Sequence, residues 1–581
     1  MSQKAGPATT KKKLFVGGLA AGAIAVAVSL LVRLFAGGSF LPEIASQTLF
    51  SLTPGQVESR AVETLGPLAK YSALIGAVAA TIILYGLISL LSLSGRLYSR
   101  LRSKGYIGNA IQSSVLAYVI LIFVGVILFA LAETDIQTKF SSIGMLSIYL
   151  ILPNIAFGFV LCSFFYGKML PSTLQRPIMF SKKQPTSGTT APSHTTDKES
   201  EIDYKKRQFL RAGIASAVAL PILYFGLGSL ISPRQEVQKS TSSLLSQFRR
   251  RSAESKPVGF EDPRLAPLLA SEITSTEFFY RIDKNPIVPV VMASTWKLTV
   301  KGLVAKPLEM KYTELRNMSS IEEFATLECV SNKLDGDLIS TAVWKGVRLK
   351  DILEKAQVMS HAKYIVFRCY DGYDVGIPLE RGLAEGTILA YDMNGASLTA
   401  EHGYPVRAIV PGLYGMMNPK WITEIELVDS IYKGYWQRKG WANNAKYNTH
   451  SFIVIPGNAA VGKRFSNIAA SSAIARSSSS SSSSSSELVP IAGVAFAGDR
   501  GIAKVEVSTD GGTTWKDARL KDPLSPYTWV LWAVEVNAAA GKGNNHYKII
   551  ARATDKTGKI QTAEIADPFP NGATGYPMIN V

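Results

Sequence analysis

Three cysteines, Cys162, Cys329 and Cys369, are the residues best suited to bind a soft metal, and they lie far apart in the sequence. Without a Cys-x-x-Cys or Cys-x-x-Cys-His run, the chain encodes neither a zinc ribbon nor a c-type haem site, and a disulfide scaffold is excluded. Cys329 lies where a predicted strand passes into a loop. A lone cysteine is usually a small buried apolar residue, so its neighbours must decide between that role and metal ligation.

A set of short motifs accompanies Cys329 along the second half of the chain. In order, the motifs are Phe278-Phe279-Tyr280-Arg281, Glu328-Cys329-Val330-Ser331-Asn332, Ala390-Tyr391-Asp392-Met393-Asn394-Gly395, Glu401-His402-Gly403-Tyr404-Pro405-Val406-Arg407, Pro411-Gly412 and Lys420-Trp421. Their order and spacing resemble those of the sulfite oxidase family, although each motif alone is a weak signal. The C-terminal run Glu506-Val507-Ser508-Thr509-Asp510-Gly511-Gly512-Thr513-Thr514-Trp515 is similar to the first hairpin of that family's dimerisation sandwich. The resemblance covers about residues 275 to 581.

The resemblance implies a molybdenum-molybdopterin cofactor with Cys329 as the protein ligand of the metal. A thiolate suits a metal that a pterin dithiolene already surrounds with sulfur, and coordination keeps the thiol deprotonated. The family's active-site tyrosine and its anion-attracting arginine correspond to Tyr391 and Arg281. The positions implied to contact the pterin or its phosphate are Tyr280, Arg281, Asp283, Asn332, Asp371, His402, Arg407, Asn418 and Lys420. Cationic side chains suit the phosphate, and a carboxylate suits the pterin N–H groups.

Two departures from the family pattern weaken the positive charge expected around a substrate anion. Leu334 replaces the second arginine after the cysteine, which in the family helps to bind sulfite, and Asp522-Pro523-Leu524-Ser525-Pro526-Tyr527 replaces an arginine-rich stretch. The interpretation is an oxidoreductase that transfers an oxygen atom to or from a small substrate such as sulfite. Two alternatives stay open: a sulfoxide or N-oxide reductase of the same fold, and a non-enzymatic membrane-tethered binding protein with a degenerate cofactor site.

Five apolar runs precede this region and are long enough to cross a membrane as helices. They extend over about residues 14–35, 71–93, 111–131, 143–165 and 210–231. Of the net charge of +18, +12 belongs to residues 1–232, where most lysines and arginines lie in alternate gaps between the runs. This pattern is typical of membrane orientation rather than of nucleic-acid binding. It predicts a multi-pass protein of the cell membrane with a cytoplasmic N-terminus and an extracytoplasmic catalytic domain.

The predicted organisation places four transmembrane helices in residues 1–170 and a fifth in 210–232. The other segments are a cytoplasmic linker at 171–209, a stalk at 233–270, the molybdopterin-binding catalytic domain at 271–456 and the dimerisation sandwich at 457–581 with a polyserine loop at 477–486. The flank Lys206-Arg207-Gln208-Phe209-Leu210-Arg211 resembles a twin-arginine export signal with lysine in the first place. An ordinary positive flank of a membrane helix explains it equally well.

Alternating apolar residues predict the strands of the soluble half. Strands at 296–300, 364–369, 407–410 and 422–427, with a helix at 349–356, indicate a mixed α+β domain. Five short strands after residue 486, at 494–497, 502–508, 529–536, 546–554 and 560–566, indicate an immunoglobulin-like β-sandwich. The predicted fold class is therefore a multi-pass α-helical membrane region, an α+β sulfite-oxidase-type molybdopterin domain and a C-terminal sandwich.

The electron partners are predicted from what the apolar runs lack. These runs contain no histidine, so no haem is expected on this chain. Electrons are therefore expected to pass to an external carrier, a cytochrome or a cupredoxin, or to an unseen membrane redox subunit. A homodimer through the sandwich follows from the family resemblance alone.

Overall fold

The structure is a computed structural model, and it describes nine stretches of the chain. They are residues 7–36, 39–65, 68–93, 105–131, 136–166, 258–285, 287–456, 488–537 and 548–580. The predicted linker, fifth span, export flank and polyserine loop lie outside the described residues. The chain divides into two compact units, residues 1–53 with 61–233 and residues 54–60 with 234–581, and each is described by itself.

Seven helices contain nearly all of the described residues of the N-terminal region. Its helices are α1 (Pro7–Ala36), α2 (Leu41–Leu52), α3 (Gly55–Leu65), α4 (Leu68–Leu93), α5 (Gly105–Leu131), α6 (Ile136–Tyr149) and α7 (Ile151–Tyr166). Four stretches are long and apolar enough to cross a membrane: Lys11–Arg33, Tyr71–Ser92, Ile107–Leu131 and Ile143–Ser163. They overlap the first four predicted runs. Apolar side chains such as Leu87, Ile111 and Phe123 are exposed on them, as helices that face lipid require.

Proline and paired polar groups mark the interior of this helical unit. The division between α6 and α7 falls just before Pro153, whose nitrogen has no hydrogen to donate to the carbonyl four residues earlier. Tyr85 OH donates to Asn154 Oδ1 at 3.1 Å, and Arg33 Nε lies 2.9 Å from Glu43 Oε2. Such pairing offsets the cost of removing polar groups from water.

The catalytic region of the second unit is a mixed α+β domain, as predicted. Its strands are β1 (Lys297–Gly302), β2 (Leu308–Lys311), β3 (Ile321–Glu328), β4 (Ile339–Arg348), β5 (Tyr364–Cys369), β6 (Asp374–Pro378), β7 (Ile388–Met393), β8 (Ala396–Ser397), β9 (Arg407–Ile409) and β10 (Ile422–Val428). Its helices are α8 (Ala266–Ala270), α9 (Tyr312–Arg316), α10 (Leu349–Ala356), α11 (Leu379–Gly382) and α12 (Tyr435–Arg438), with 3-10 turns at Pro263–Leu265 and Gly415–Met417.

Helix α10 illustrates how the sequence specifies these elements. Leu349, Ile352, Leu353 and Ala356 recur at helical spacing, and all four are buried on one face of the helix. The helix ends at Gln357, whose φ of 55° places it in the left-handed region that stops a helix. The predicted helix at 349–356 and the predicted strand at 364–369 are confirmed with their bounds unchanged.

Two sheets organise the catalytic domain. One has the order β2-β1-β10-β5-β6, with β1 parallel to β10 and the other neighbours antiparallel. The other has the order β3-β4-β7-β8, with β9 beside β7. In the antiparallel pair of β3 and β4, Glu328 lies opposite Ile339. Residues 329–338 therefore form the loop between these two strands, and Cys329 is its first residue.

The C-terminal region is a two-sheet β structure. Its strands are β11 (His450–Ile455), β12 (Leu488–Phe496), β13 (Ile502–Ser508), β14 (Lys516–Asp517), β15 (Arg519–Leu520), β16 (Val530–Asn537), β17 (Lys548–Asp555) and β18 (Met578–Asn580), with a 3-10 turn at Gly498–Arg500. The sheet orders are β11-β12-β16-β15 and β14-β13-β17-β18. Val505, Trp532 and Ala551 belong to the core that these strands share. The predicted sandwich is confirmed.

One predicted strand of the sandwich, 560–566, is wrong. The structure has only isolated bridges there, between Thr554 and Ile560 and between Ala566 and Thr574. Ile565 is 75% exposed, so the apolar alternation of this segment does not face a core. The strand that pairs with the first residues of β17 is β18, in which Ile579 is buried opposite Ile549. An alternating apolar pattern does not by itself make a strand, because a strand also needs a neighbouring strand to pair with. Here the later segment β18 pairs with β17.

Candidate active site

Cys329 begins the short loop between β3 and β4. Its N–H donates to the Leu338 carbonyl at 3.0 Å, and the Asn332 N–H donates to the Cys329 carbonyl at 2.9 Å. The Asn332 side chain closes the loop, because its Oδ1 accepts from the Leu338 N–H at 3.0 Å. Cys329 is 8% exposed, with its Sγ 3.0 Å from Ser331 Oγ. These bonds hold one thiol at the end of a strand, where a metal ligand would need a fixed direction.

Tyr373, which no sequence motif singled out, lies between β5 and β6, and the charge of Cys329 contributes to the pKa of its phenol. Burial raises the pKa of its phenol well above the usual value, and several nearby negative groups, Cys329 among them, raise it further. Its hydroxyl donates to the Met416 carbonyl at 2.6 Å. Tyr373 is therefore a neutral phenol whose one hydrogen is donated to a backbone carbonyl. Its place two residues after Asp371, in the turn between β5 and β6, is the signal by which the sequence could have revealed it.

Arg407 is a buried cation that forms no ion pair among the described residues. It is 5% exposed, and its Nη1 and Nη2 donate to the carbonyls of His402 and Asn418, both at 3.2 Å. Its Nε has no hydrogen-bond partner among the described residues. Burial lowers the pKa of Arg407 to about 10. A buried cation with an unused donor fits an anionic ligand such as a phosphate.

Asp283 forms ion pairs with two of the predicted cationic residues. Its Oδ1 is in contact with Lys420 Nζ, and its Oδ2 lies 2.5 Å from Arg281 Nε. Burial would raise the pKa of Asp283, but Lys420 and Arg281 together lower it below its usual value. Lys420 Nζ also donates to the Glu401 carbonyl at 2.9 Å. Arg281, predicted to attract the substrate, is thus engaged by a carboxylate in this structure.

His402 is buried beside this group and is neutral at ordinary pH. Burial, followed by the positive charge of Lys420, lowers the pKa of His402 to about 3. Its Nε2 lies 2.9 Å from the Thr276 carbonyl, so in the neutral ring Nε2 carries the hydrogen and donates it. The other nitrogen, Nδ1, is then an acceptor.

In the cofactor-free protein, His402 is expected to make stability fall as the solution is acidified. As the pH falls from 6.5 towards 3, the unfolded chain binds a proton on this residue that the folded chain does not bind. The free energy of unfolding should therefore decrease by up to about 1.4 kcal/mol per pH unit in this window. His402→Gln keeps an N–H for the Thr276 carbonyl and should flatten the profile. Urea unfolding between pH 4 and 7 measures both proteins, and equal slopes would contradict the expectation.

Tyr280 and Asp371 complete the predicted group. The Tyr280 hydroxyl packs against the backbone of Gly415, because a Cβ added at Gly415 would lie 2.2 Å from the hydroxyl oxygen. Asp371 Oδ1 accepts from the Tyr373 N–H at 3.0 Å, and burial raises the pKa of Asp371. Electrostatic interactions connect six of the predicted residues into one cluster: Arg281, Asp283, Asp371, His402, Arg407 and Lys420.

Asn332 and Asn418 use their side chains within the fold. Asn332 Nδ2 donates to Glu328 Oε1 at 2.9 Å, in addition to the bond that closes the cysteine loop. Asn418 Oδ1 accepts from the Val410 N–H at 2.6 Å, and its Nδ2 donates to the Leu413 carbonyl at 3.1 Å. These amides shape the loops that carry Cys329 and follow β9. Their contact with a pterin remains a prediction.

Tyr391 lies apart from this cluster. It is 2% exposed on β7, with its ring centre 4.3 Å from the guanidinium carbon of Arg316. Arg316 Nη1 in turn donates to Asp392 Oδ1 at 2.7 Å. Among the described residues, no polar or ring contact joins Tyr391 to the Cys329 loop. Its catalytic role remains a prediction, for which Tyr373 is a competing candidate.

Two family models match the second unit of the chain. The "Oxidoreductase molybdopterin binding domain" matches residues 285–436, which contain Cys329, Tyr373 and Arg407. The "Mo-co oxidoreductase dimerisation domain" matches residues 464–567, within the sandwich. Neither match extends to the N-terminal helices.

Individual relatives of the chain are also oxidoreductases. The sulfite oxidase of Gallus gallus is 30% identical over 346 residues, which cover 54% of this chain and 72% of the relative. The chain belongs to the sulfite oxidase family. The mitochondrial sulfite oxidase of Homo sapiens is 30% identical over 54% of this chain and 61% of its own length. The uncharacterized oxidoreductase YuiH of Bacillus subtilis (strain 168) is 36% identical over 25% of this chain and 72% of its own length.

Membership of the sulfite oxidase family confirms three expectations from the sequence. The chain is an oxidoreductase with a molybdopterin-binding domain, its catalytic domain has the predicted α+β fold, and a dimerisation-type sandwich follows it. The alternative of a binding protein without enzymatic function is therefore not supported.

Proposed function

We propose that this member of the sulfite oxidase family is anchored in the cell membrane and transfers an oxygen atom to or from a small substrate such as sulfite outside the cytoplasm. The proposal rests mainly on one observation. The Cys329 thiol lies at the end of β3, in a loop that backbone hydrogen bonds and the Asn332 side chain hold in one shape. A soft ligand with a fixed direction suits a sulfur-bound metal that exchanges oxygen with a substrate.

The described residues fit a molybdenum-molybdopterin cofactor. Cys329 offers the thiolate, and the unpartnered Nε of Arg407 offers a donor to the terminal phosphate. Lys420 adds a second positive charge, on a side chain that is 12% exposed, and Asp371 offers an acceptor for pterin N–H groups. When bound, the cofactor supplies the two-electron exchange of an oxygen atom. The protein's own part is to orient the metal ligand, neutralise the phosphate and present a hydrogen-bond donor to the substrate oxygen.

The charge around the site favours a second candidate, the reduction of a sulfoxide or an N-oxide. Leu334 stands where the family has an arginine. It packs beside Gly575 and Ile565, because a Cβ added at Gly575 would lie 3.2 Å from Leu334 Cδ2. Arg281 is paired with Asp283. A dianion such as sulfite gains more binding energy from unpaired cations than a neutral substrate does. The loss of one arginine and the pairing of Arg281 therefore weaken the expected binding of sulfite relative to a neutral substrate. The identity to sulfite oxidases supports sulfite as the first substrate to test.

The substrate assay uses purified, cofactor-loaded protein with Cys329→Ser as its control. Oxidation of sulfite takes one oxygen atom from water and releases two protons and two electrons, which reduce two ferricyanide ions. We expect sulfite-dependent reduction of ferricyanide that the control variant lacks. If methionine sulfoxide is reduced by a reduced dye and sulfite is not oxidised, the second candidate replaces the first. If neither substrate turns over in molybdenum-loaded protein, the proposed oxygen-atom transfer on such substrates is wrong.

The proposed location rests on the charges between the apolar runs, and the four candidate spans support membrane anchoring. Since ferricyanide does not cross membranes, intact spheroplasts should show the same activity as lysed ones in the assay above. Activity that appears only after lysis would place the site inside. The natural acceptor is proposed to be an external one-electron carrier, a cytochrome or a cupredoxin. The match to a dimerisation domain supports a homodimer.

A further inference from the structure

A buried acid–base pair lies directly behind the cysteine and joins the catalytic domain to the sandwich. Glu328 is the last residue of β3, and His450 is the first residue of β11. Glu328 Oε2 lies 2.9 Å from His450 Nε2, and the side chains are 4% and 7% exposed. Neither atom forms a hydrogen bond among the described residues, so their approach is a close polar contact between two buried groups. Each atom is therefore the polar neighbour on which the other depends.

Glu328 transmits this contact to the cysteine loop. Its second oxygen, Oε1, accepts from Asn332 Nδ2 at 2.9 Å. Asn332 Oδ1 accepts from the Leu338 N–H, and the Leu338 carbonyl accepts from the Cys329 N–H, both at 3.0 Å. A continuous series of polar contacts thus leads from a strand of the sandwich to the backbone of the thiol-bearing residue.

His450 is itself held in place. Its ring packs edge-on against Phe452, with ring centres 5.0 Å apart. In the antiparallel pair of β11 and β12, His450 lies opposite Phe496, which is also buried. A side chain on a paired strand with aromatic neighbours can hold a carboxylate in one orientation better than a side chain on a free loop.

We propose that His450 is a positioning residue for the metal ligand: by holding Glu328, and through it Asn332, it fixes the direction in which Cys329 Sγ points. The sandwich is then part of the metal site as well as a dimerisation-type domain. This inference rests on the proposed function only in taking Cys329 as the ligand of molybdenum.

The physical reason is the cost of a buried polar atom without a partner. Removing the His450 imidazole takes away the ring nitrogen that lies 2.9 Å from the buried Glu328 Oε2, which favours rotation of the carboxylate towards another donor. Asn332 shares that carboxylate and moves with it, so the loop that aims the thiol is loosened. Groups that orient a metal ligand in this way commonly change metal affinity or activity about tenfold to a hundredfold when they are lost.

The experiment compares His450→Gln with His450→Asn in the full-length, cofactor-loaded enzyme. Glutamine places its amide N–H near the position of histidine Nε2, whereas the amide of asparagine does not reach it. We expect the Gln variant to keep the wild-type EPR signal of molybdenum and the sulfur-to-metal absorption band. The Asn variant should shift both and lower kcat/KM about tenfold to a hundredfold. Wild-type spectra in the folded Asn variant would overturn the proposal.

A matched control separates positioning from general stabilisation. Lys521 and Glu272 form another buried pair between the sandwich and the catalytic region, at 2.8 Å, with side chains 15% and 1% exposed. Lys521→Met should lower the melting temperature without changing the spectra of the metal. If it shifts the spectra as much as His450→Asn does, the effect is not specific to the cysteine loop and the proposal fails.

Two further variants make every outcome decisive. If His450→Asn does not fold, Glu328→Gln replaces it, because this change keeps the side-chain shape and the bond to Asn332 but presents an N–H to His450 in one orientation. It should then shift the metal spectra, and unchanged spectra would overturn the inference. Cys329→Ser tests the underlying function separately. If this serine variant keeps the wild-type spectra, the assignment of the ligand fails; if it shifts them and the His450 and Glu328 variants do not, only the role of His450 fails.

Discussion

Cys329→Ser is expected to lower turnover by roughly a thousandfold, about 4 kcal/mol in activation free energy, while the protein stays folded. Serine keeps the size of the side chain and leaves intact the backbone bonds to Leu338 and Asn332 that shape the loop. It replaces a soft thiolate by a hard hydroxyl, which is a poorer ligand for a metal already bound to sulfur. The loss should therefore appear in the chemistry of the metal and not in the stability of the fold.

The measurement is turnover together with the molybdenum and pterin content and the absorption spectrum of the purified protein. Cys369→Ser is the matched control, because Cys369 is equally buried and also interacts electrostatically with Tyr373. The control should keep the spectrum and most of the activity. If Cys329→Ser retains both, or if wild type from a cofactor-competent host lacks molybdenum, the assignment of Cys329 as the metal ligand is refuted.

Tyr373→Phe is expected to lower kcat/KM by about a hundredfold, or ~3 kcal/mol. The change removes only the hydroxyl, so the buried ring still fills its place. The bond that the hydroxyl donates to the Met416 carbonyl is lost, at a cost to stability of about 1 kcal/mol. The larger kinetic effect is expected because the hydroxyl, whose one hydrogen goes to Met416 in this structure, would turn to a substrate oxygen and stabilise charge there during the reaction. Steady-state kinetics with a thermal unfolding curve separates the two effects.

Tyr391→Phe is the matched comparison and also the test of the sequence-based assignment. Phenylalanine keeps a ring beside the Arg316 guanidinium, so the stability of the fold should change little. If Tyr373 is the catalytic tyrosine, kcat/KM of the Tyr391 variant stays near the wild-type value. A large loss in the Tyr391 variant with none in the Tyr373 variant would restore the assignment made from the motif.

Local patterns were enough to predict much of this protein. The apolar runs predicted the four candidate spans because helix length and hydropathy are properties of continuous segments. The ordered motifs around Cys329, His402 and Arg407 predicted the family because each motif encodes one tight turn or loop beside a strand. The same locality explains why helix α10 and strand β5 were predicted with their bounds, whereas the order of the strands in the sheets was not.

Other features were decided only by the tertiary structure. Ile560 and the segment 578–580 both pair with β17 at different residues, and only the later segment forms a strand there. Tyr391 lies on a strand of the sheet that contains β3, whereas Tyr373 lies beside the other sheet, a distribution that only the tertiary structure shows.

The sequence by itself determined the four candidate membrane spans, the fold class and the family, and it predicted Cys329 as the metal ligand. The tertiary structure decided how the charges are used: Asp283 is paired with Arg281 and Lys420, and Glu328 Oε2 lies beside His450 Nε2. Among the residues that the structure describes, Arg407 is left without an ion pair. The physical reason is that burial makes each charge depend on a neighbour distant in sequence. Motifs specify the residues of a site, but folding selects which of them remain free to bind a ligand.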